Sequence, residues 1–445
     1  MHLQLMPANG ETGNPRIAAA RIGLETMDAI ERDGPPDGSA RRSSWPGADT
    51  SRIPYRVYSD EDLYRRELDR LFYGPHWCYV ALEAEIPNPG DFKRSVVGER
   101  PVVVVRDQDG GINVVENRCA HRGVRFCQQG HGTAKEFTCP YHQWTYNLKG
   151  DLLGVPFRRG VKKQGGMPAD FRLEDHGLTK LKVASRHGVV FASFDTAVPA
   201  FEDYLGPLML SFFDRVFDGR PLQLLGYSRQ RIPGNWKLMQ ENIKDPYHAS
   251  LLHVFFVTFG LFRADQKAAI EMDEAGRHCV MSSRKGEKER NEANEGIKQF
   301  REGFTLKDDR IMDVVHEWKT PQTVAMQTIF PSLIVQQQIN SLSTRHIRPR
   351  GPHCFDFVWT HFAYADDSEE MVRRRLRQAN LFGPAGYVSA DDGEVIEMSQ
   401  QGLAPYPDAE CVAELGGRGT ENTDHMVTET AIRAMYKYYR EVMEL

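Results

Sequence analysis

The chain has no long apolar run. Val102–Val105 and Leu251–Val257, the second broken by His253, fall far short of the roughly twenty residues that cross a bilayer. No membrane association is expected. Excess positive charge is also missing. Lys and Arg number 56 against 61 Asp and Glu, for a formal charge of −5, which argues against a nucleic-acid partner. The opening MHLQLMPANGETGN lacks the charged start and apolar stretch of an export leader. Cysteine is sparse and odd, seven in 445 residues, so a disulfide scaffold is excluded. A reducing, cytoplasmic setting is expected, with thiols used as ligands or packed as small apolar groups. No nicotinamide or flavin motif is present.

The remaining composition is that of an ordinary globular protein, and the length suits two or three domains. Residues 1–50 are rich in Gly, Pro, Ser and charge and read as a poorly ordered extension, with Met27 an alternative start to Met1. Ser59 before three acidic residues reads as a helix cap, and Leu63, Tyr64, Leu68, Leu71 and Phe72 follow at helical spacing. Short strands then run to about residue 165: Trp77–Leu82, Phe92–Val97, Pro101–Arg106 and Ile112–Glu116. Beyond lie a strand at Gly188–Phe194 and helices at Phe201–Phe217 and Trp236–Phe256. Strands at Val324–Ile347 and Phe355–Ala365 and helices at Ser368–Asn380 and Thr428–Met443 follow. The densely charged stretch from Arg284 to Arg310 reads as a surface insertion. The chain therefore divides at 1–50, 51–75, 76–165 and 166–445, and the pattern is α+β with an antiparallel sheet.

Residues 119–144 read CAHRGVRFCQQGHGTAKEFTCPYHQW. Cys119-x-His121 and Cys139-x-x-His142 each offer a thiolate and an imidazole from a tight loop. Such a set can hold one tetrahedral zinc, or a [2Fe–2S] Rieske cluster with two Cys on one iron and two His on the other. Zinc sites usually pair Cys with Cys and His with His in sequence. One of each per loop suits two loops gripping a two-metal cluster. Cys127 and His131 read as structural.

Residues 240–253 read QENIKDPYHASLLH. His248 and His253 are candidates for a site of two His and one carboxylate, which leaves positions open for oxygen and substrate. Positions five apart diverge on an ideal α-helix but come into register across a π turn. A helix distortion is expected between them.

The C-x-H-R-G and C-P-Y-H-x-W motifs with E-N-x-x-D-x-Y-H-x4-H resemble the large subunit of the Rieske non-haem iron ring-hydroxylating oxygenases. The resemblance covers about 53–445. It implies a Rieske β-domain over 76–165 and a catalytic domain over 166–445 with a helix-flanked antiparallel sheet of helix-grip type. The helix at 51–75 is expected to pack on the catalytic domain. It implies one [2Fe–2S] cluster on Cys119, His121, Cys139 and His142, and one mononuclear Fe(II) on His248, His253 and a late carboxylate. In FGPAGYVSADDGEVIE, Asp392 matches the ligand position and Asp391 is the fallback. Asp245 resembles the aspartate that links the iron site to a Rieske histidine of a neighbouring subunit. Respiratory Rieske proteins carry two bridging cysteines and a serine where this chain has Val124, Tyr141 and Trp144. Without that disulfide and hydroxyl, a potential at the low end of the Rieske range is expected.

NWKLMQENIKDPYH and DHMVTET are most similar to the salicylate-hydroxylating branch of the family, with anthranilate and terephthalate dioxygenases less close. The implied reaction takes salicylate to gentisate with O2. The implied partners are a small beta subunit in an α3β3 assembly, a ferredoxin and an NAD(P)H-dependent ferredoxin reductase. Cis-dihydroxylation of anthranilate or terephthalate is the alternative outcome, and an electron carrier without catalysis is the alternative of another class. By position, Gln240, Ile243, Ser250, Val257 and Val388 are candidates to line the substrate pocket. Gln336, Gln338 and Asn340 share one strand parity and join them.

Overall fold

Valine runs, prolines and buried charges decide most of the architecture. In this computed structural model the described residues are 45, 47–259, 266–284 and 303–445. Most of the expected 1–50 extension, with its two candidate starts, and most of the charged insertion lie outside them. Trp45 and Thr50, within the expected tail, are buried. The Trp45 ring lies 5.7 Å from Tyr436, and Thr50 Oγ1 donates to the Arg433 carbonyl at 2.8 Å.

Ser44–Leu445 forms one unit. Its first sheet has four antiparallel strands, Ile112–Glu116, Arg100–Arg106, Asp91–Val97 and His131–Thr133 in spatial order. Val102–Val105 are all fully buried, which is why they are a continuous valine run rather than an alternating one. The hairpin at Gly98 has φ +57, and a Cβ there would meet Phe72 at 2.9 Å, so glycine is required. Three short strands, Phe137–Thr138, Thr145–Tyr146 and Leu152–Gly154, form a second sheet. Cys78–Leu82 pairs with Val189–Ser193, itself paired with Lys182–Arg186, so chain beyond residue 165 returns beside this region.

The large sheet has seven antiparallel strands. In order they are Leu222–Ile232, Phe355–Tyr364, Ser341–Pro349, Leu333–Gln338, Val324–Ile329, Cys279–Ser283 and Ala268–Met272. The single strand expected over Val324–Ile347 is three strands. Pro331, which cannot donate to a sheet, breaks the first turn, and Ile339 adopts φ +54 at the second.

Helices α1 (Glu61–Glu67), α2 (Phe201–Val216), α3 (Trp236–Lys244), α4 (Val254–Thr258), α5 (Glu369–Phe382), α6 (Ser389–Leu403) and α7 (Thr430–Met443) flank the sheets. Asp60, not Ser59, caps α1, accepting from Leu63 N at 2.8 Å. The helix then widens into a π turn over Leu68–Phe72. α1 and α3 are joined by charge. Glu67, fully buried, accepts from Lys237 Nζ and Tyr439 OH at 2.6 Å and from Trp236 Nε1 at 2.8 Å. Removing one partner of such a pair leaves a buried charge uncompensated. Lys237→Met is therefore expected to cost about 3–5 kcal/mol, read as a lowered urea midpoint. The double variant Glu67→Leu/Lys237→Met should recover much of that loss.

Candidate functional site

The two Cys–His loops share one backbone design. Cys119 N donates to Val124 O at 2.9 Å and Gly123 N donates to Cys119 O at 2.9 Å. Cys139 N donates to Trp144 O at 2.8 Å and Gln143 N donates to Cys139 O at 2.9 Å. The fourth residue after each cysteine has positive φ, +72 at Gly123 and +57 at Gln143. Glycine signals that turn in the first loop, and Gln143 hides it in the second. Both thiols are buried and unpaired in any disulfide. The His121 and His142 rings lie 4.7 Å apart, and His142 Nδ1 is buried without a protein partner. Two buried thiols and two adjacent imidazoles carried by matched loops, one nitrogen left unsatisfied, fit a cluster held between the loops. Cys127 and His131 stand apart. Cys127 is tied to Asn117 through its backbone, and His131 is exposed on a strand.

The second constellation is made by a broken helix. α3 stops at Lys244 because Pro246 disfavours the helical region for Asp245, which sits at φ −103, ψ 93. A 3-10 turn over His248–Ser250 and the start of α4 follow. The expected continuous helix with a π turn is thus replaced by a complete break, and the Asp-Pro pair was its signal.

This break turns both imidazoles toward the first turn of α6. One ligand-type atom from each of His248, His253 and Asp392 lies within 4.8 Å of the others. Asp392 Oδ1 is 3.5 Å from His248 Nε2 and 3.2 Å from His253 Nε2. Asn242 Nδ2 donates to the same oxygen at 3.1 Å, a contact not anticipated from the sequence. Behind the imidazoles stand two more carboxylates. Asp245 Oδ2 is 3.4 Å from His248 Nδ1, close but poorly aligned for a hydrogen bond, and Asp391 Oδ2 is 3.4 Å from His253 Nδ1. Asp391 thus lies behind the triad and Asp392 within it.

Burial works against the charge on Asp392, yet the bonds from His248 and His253 hold its carboxyl well below the usual range. Burial likewise opposes charge on His248, but Asp245 and Asp392 raise it to about 10. A charged carboxylate with two converging imidazoles is the donor set of a facial triad, and its open side faces a cavity.

That cavity and the open solvent at its mouth together take up about 640 Å3. Ile243, Gln338 and Val388 line it, with Phe256, Met326 and Phe382. Gln240, Ser250, Val257, Gln336 and Asn340 lie outside its wall. Gln240 is spent on the Pro331 carbonyl and Lys244. Ser250 turns to the Tyr247 carbonyl, and Val257 is buried on α4. Gln336 stands behind Gln338, and Asn340 sits in a turn bonded to Val315. Arg345, also on the wall, was not anticipated, because the burial of its strand over nearly its whole length shows only in the fold.

Two protein families match the chain. The Rieske [2Fe-2S] domain matches residues 76–164 and the ring hydroxylating alpha subunit catalytic domain matches 220–445. The salicylate 5-hydroxylase large oxygenase component of Ralstonia sp is 64% identical over 90% of this chain and 96% of its own length. The anthranilate 1,2-dioxygenase large subunit of Burkholderia cepacia is 46% identical over 90% of this chain and 95% of its own. Naphthalene 1,2-dioxygenase from Rhodococcus sp., solved with bound indole, superposes with a TM-score of 0.72 at 24% identity. The overlap is 88% of this chain and 94% of that one, a likeness of fold. The two matched domains imply a [2Fe–2S] cluster and a mononuclear iron. Among the described residues no helix is long and apolar enough to cross a membrane.

His248→Ala is expected to lose the mononuclear iron and turnover while keeping the visible spectrum of the cluster. Iron analysis beside the spectrum checks this, and joint loss of both would refute two separate centres.

Proposed function

The chain belongs to the Rieske ring-hydroxylating oxygenase alpha subunits, and we propose that its substrate is an aromatic carboxylate, salicylate hydroxylated to gentisate. The observation that carries this reading is Arg345. Its side chain is 3% exposed, lies on the cavity wall, and has no carboxylate at ion-pair distance among the described residues. Its Nε donates to Gln336 Oε1 at 2.5 Å, and its guanidinium stacks on Trp359 at 4.0 Å. Burial lowers it to about 9, against the field of Asp392, so it is a cation at neutral pH. A buried cation without an anion is costly. A substrate carboxylate supplies the missing partner, and a guanidinium fork suits it. The named relatives act on salicylate and anthranilate, both aromatic acids.

The residues then divide the work. Cys119, His121, Cys139 and His142 hold the cluster, and His248, His253 and Asp392 hold the iron. Together these groups supply electrons and the activation of dioxygen. Arg345 fixes the carboxylate end of the substrate, and Phe256, Phe382, Ile243 and Val388 enclose the ring and exclude water. Gln338 Oε1 accepts from Gln336 Nε2 at 2.8 Å, which leaves the Gln338 amide N–H groups for the substrate hydroxyl. Asp245 is held by its own turn, Oδ1 accepting from Tyr247 N at 2.8 Å. Its other oxygen faces His248, the position of a link to the cluster of a neighbouring copy.

In this reading the chain works in the cytoplasm with a small beta subunit as α3β3. A ferredoxin and an NAD(P)H-dependent reductase supply its electrons. The carrier alternative falls, because a catalytic domain occupies residues 220–445. Arg345→Met is expected to weaken salicylate binding by about 2–5 kcal/mol and to leave binding of uncharged phenol unaffected. Product analysis with salicylate, anthranilate and terephthalate, in the presence of reductase and ferredoxin, checks both substrate and outcome. A dihydrodiol product, or equal loss with phenol, would overturn the reading.

A further inference from the structure

Three side chains on one face of the large sheet form a chain of hydrogen bonds that ends in the cavity. Gln336 sits opposite Ser343, and Arg345 and Gln338 flank that pair, each two residues along its own strand. Gln336 is fully buried. Its Oε1 accepts from Arg345 Nε at 2.5 Å and from Ser343 Oγ at 3.2 Å. Its Nε2 donates to Gln338 Oε1 at 2.8 Å. An amide can be turned end for end, so its direction needs a cause. Arginine supplies one, because a guanidinium can only donate. Gln336 must turn its oxygen to Arg345, and that sends its NH2 to Gln338. Gln338 must answer with its own oxygen. Its NH2 is the end left to face the cavity, which Gln338 lines.

We propose that this relay sets a hydrogen-bond donor beside the carboxylate anchor and so selects an ortho-hydroxy over an ortho-amino aromatic acid. The inference rests on the aromatic-acid reading of the cavity. One amide, that of Gln336, separates Arg345 from Gln338. With the substrate carboxylate on Arg345, the group Gln338 reaches is therefore the ring substituent next to it. In an ortho-hydroxy acid the hydroxyl proton is spent on the neighbouring carboxylate, and the outward side of its oxygen accepts. In an ortho-amino acid one N–H is spent in the same way and the other points outward. Its nitrogen lone pair is drawn into the ring and accepts poorly. The outward polarity of the two groups is thus opposite. Gln338 bonds the first and meets the second donor to donor, which leaves two desolvated groups unpaired. Gln336 touches no substrate. It is a positioning residue that fixes which end of the Gln338 amide the substrate meets.

The test is equilibrium dialysis of the iron-loaded protein against salicylate, anthranilate and benzoate. Benzoate has no ortho group and measures the carboxylate anchor alone. Salicylate is expected to bind roughly tenfold more tightly than anthranilate, the worth of one buried hydrogen bond made or left unmade. Anthranilate should bind no better than benzoate. Binding of all three with equal affinity overturns the proposal and leaves the aromatic-acid reading standing. Binding of none defeats that reading, and the proposal with it. Gln336→Glu then tests the relay. A carboxylate still accepts from Arg345 but has no proton for Gln338, which must turn its NH2 to Glu and its oxygen to the cavity. The ratio of salicylate to anthranilate affinity should fall to parity or reverse, whatever happens to benzoate. An unchanged ratio overturns the relay. Where that variant fails to fold, Gln338→Leu should bring the two ortho-substituted acids level, and a surviving tenfold preference overturns the proposal.

Discussion

The Asp392 carboxylate is the constraint around which the catalytic half is built. It is 4% exposed, and a buried carboxylate needs partners. Its partners come from both sides of the α3 break, Asn242 before and His248 and His253 after it. The position of α6 must therefore be fixed against α3. Three contacts do this. Gln230 and Ser389 exchange hydrogen bonds at 2.8 Å, tying the start of α6 to the large sheet. Gln400 Oε1 accepts from Asn235 N at 2.7 Å, at the residue that caps α3. Gly234 lies against Ile396 so closely that a Cβ would sit 2.6 Å from its Cγ2. The triad is local in space because helix ends far apart in sequence are bolted together.

α3 itself is held by polar contacts as well as by the apolar packing of Trp236, Leu238, Met239 and Ile243. Lys237, Gln240 and Lys244 are all buried on it. Lys237 meets Glu67, Gln240 reaches the Pro331 carbonyl at 2.8 Å, and Glu241 accepts from Tyr436. Lys244 donates to Gln240 at 3.0 Å and Thr328 at 2.5 Å, and burial drives its pKa down to about 8. Apolar faces tolerate sliding, whereas directional bonds leave unsatisfied groups if the helix shifts. A fixed axial position for α3 sets where the chain emerges at Asp245, and so where His248 points.

The sequence was most legible where chemistry is local. The two Cys–His loops hold their ligands within a few residues, and their spacing could be read directly. The histidine pair was legible too, but its geometry was misread: Pro246 ends the helix, and no π turn is needed. Asp392 was reached through resemblance, since an Asp-Asp-Gly looks like a solvated turn until α6 is seen to bury it. The substrate wall was least legible. Parity grouped Gln336, Gln338 and Asn340 on one face, but the turn at Ile339 ends the strand before Asn340. Arg345 was passed over because its role depends on what it lacks, and a missing counter-charge is a property of the folded cavity.

Arg345 gives the cavity a polarity. It lines the cavity, and the low dielectric of an apolar wall strengthens its field. In this reading an aromatic acid entering it is drawn by its carboxylate to Arg345. On the same reading the ring presents the edge remote from the carboxylate to the triad. On salicylate, the carbon opposite the hydroxyl lies on that remote edge, and it is the carbon that becomes hydroxylated in gentisate. Regiochemistry in this reading follows from the carboxylate anchor at Arg345 and needs no tight steric mould. That is compatible with walls made largely of flexible or rounded apolar groups such as Met326, Ile243 and Val388.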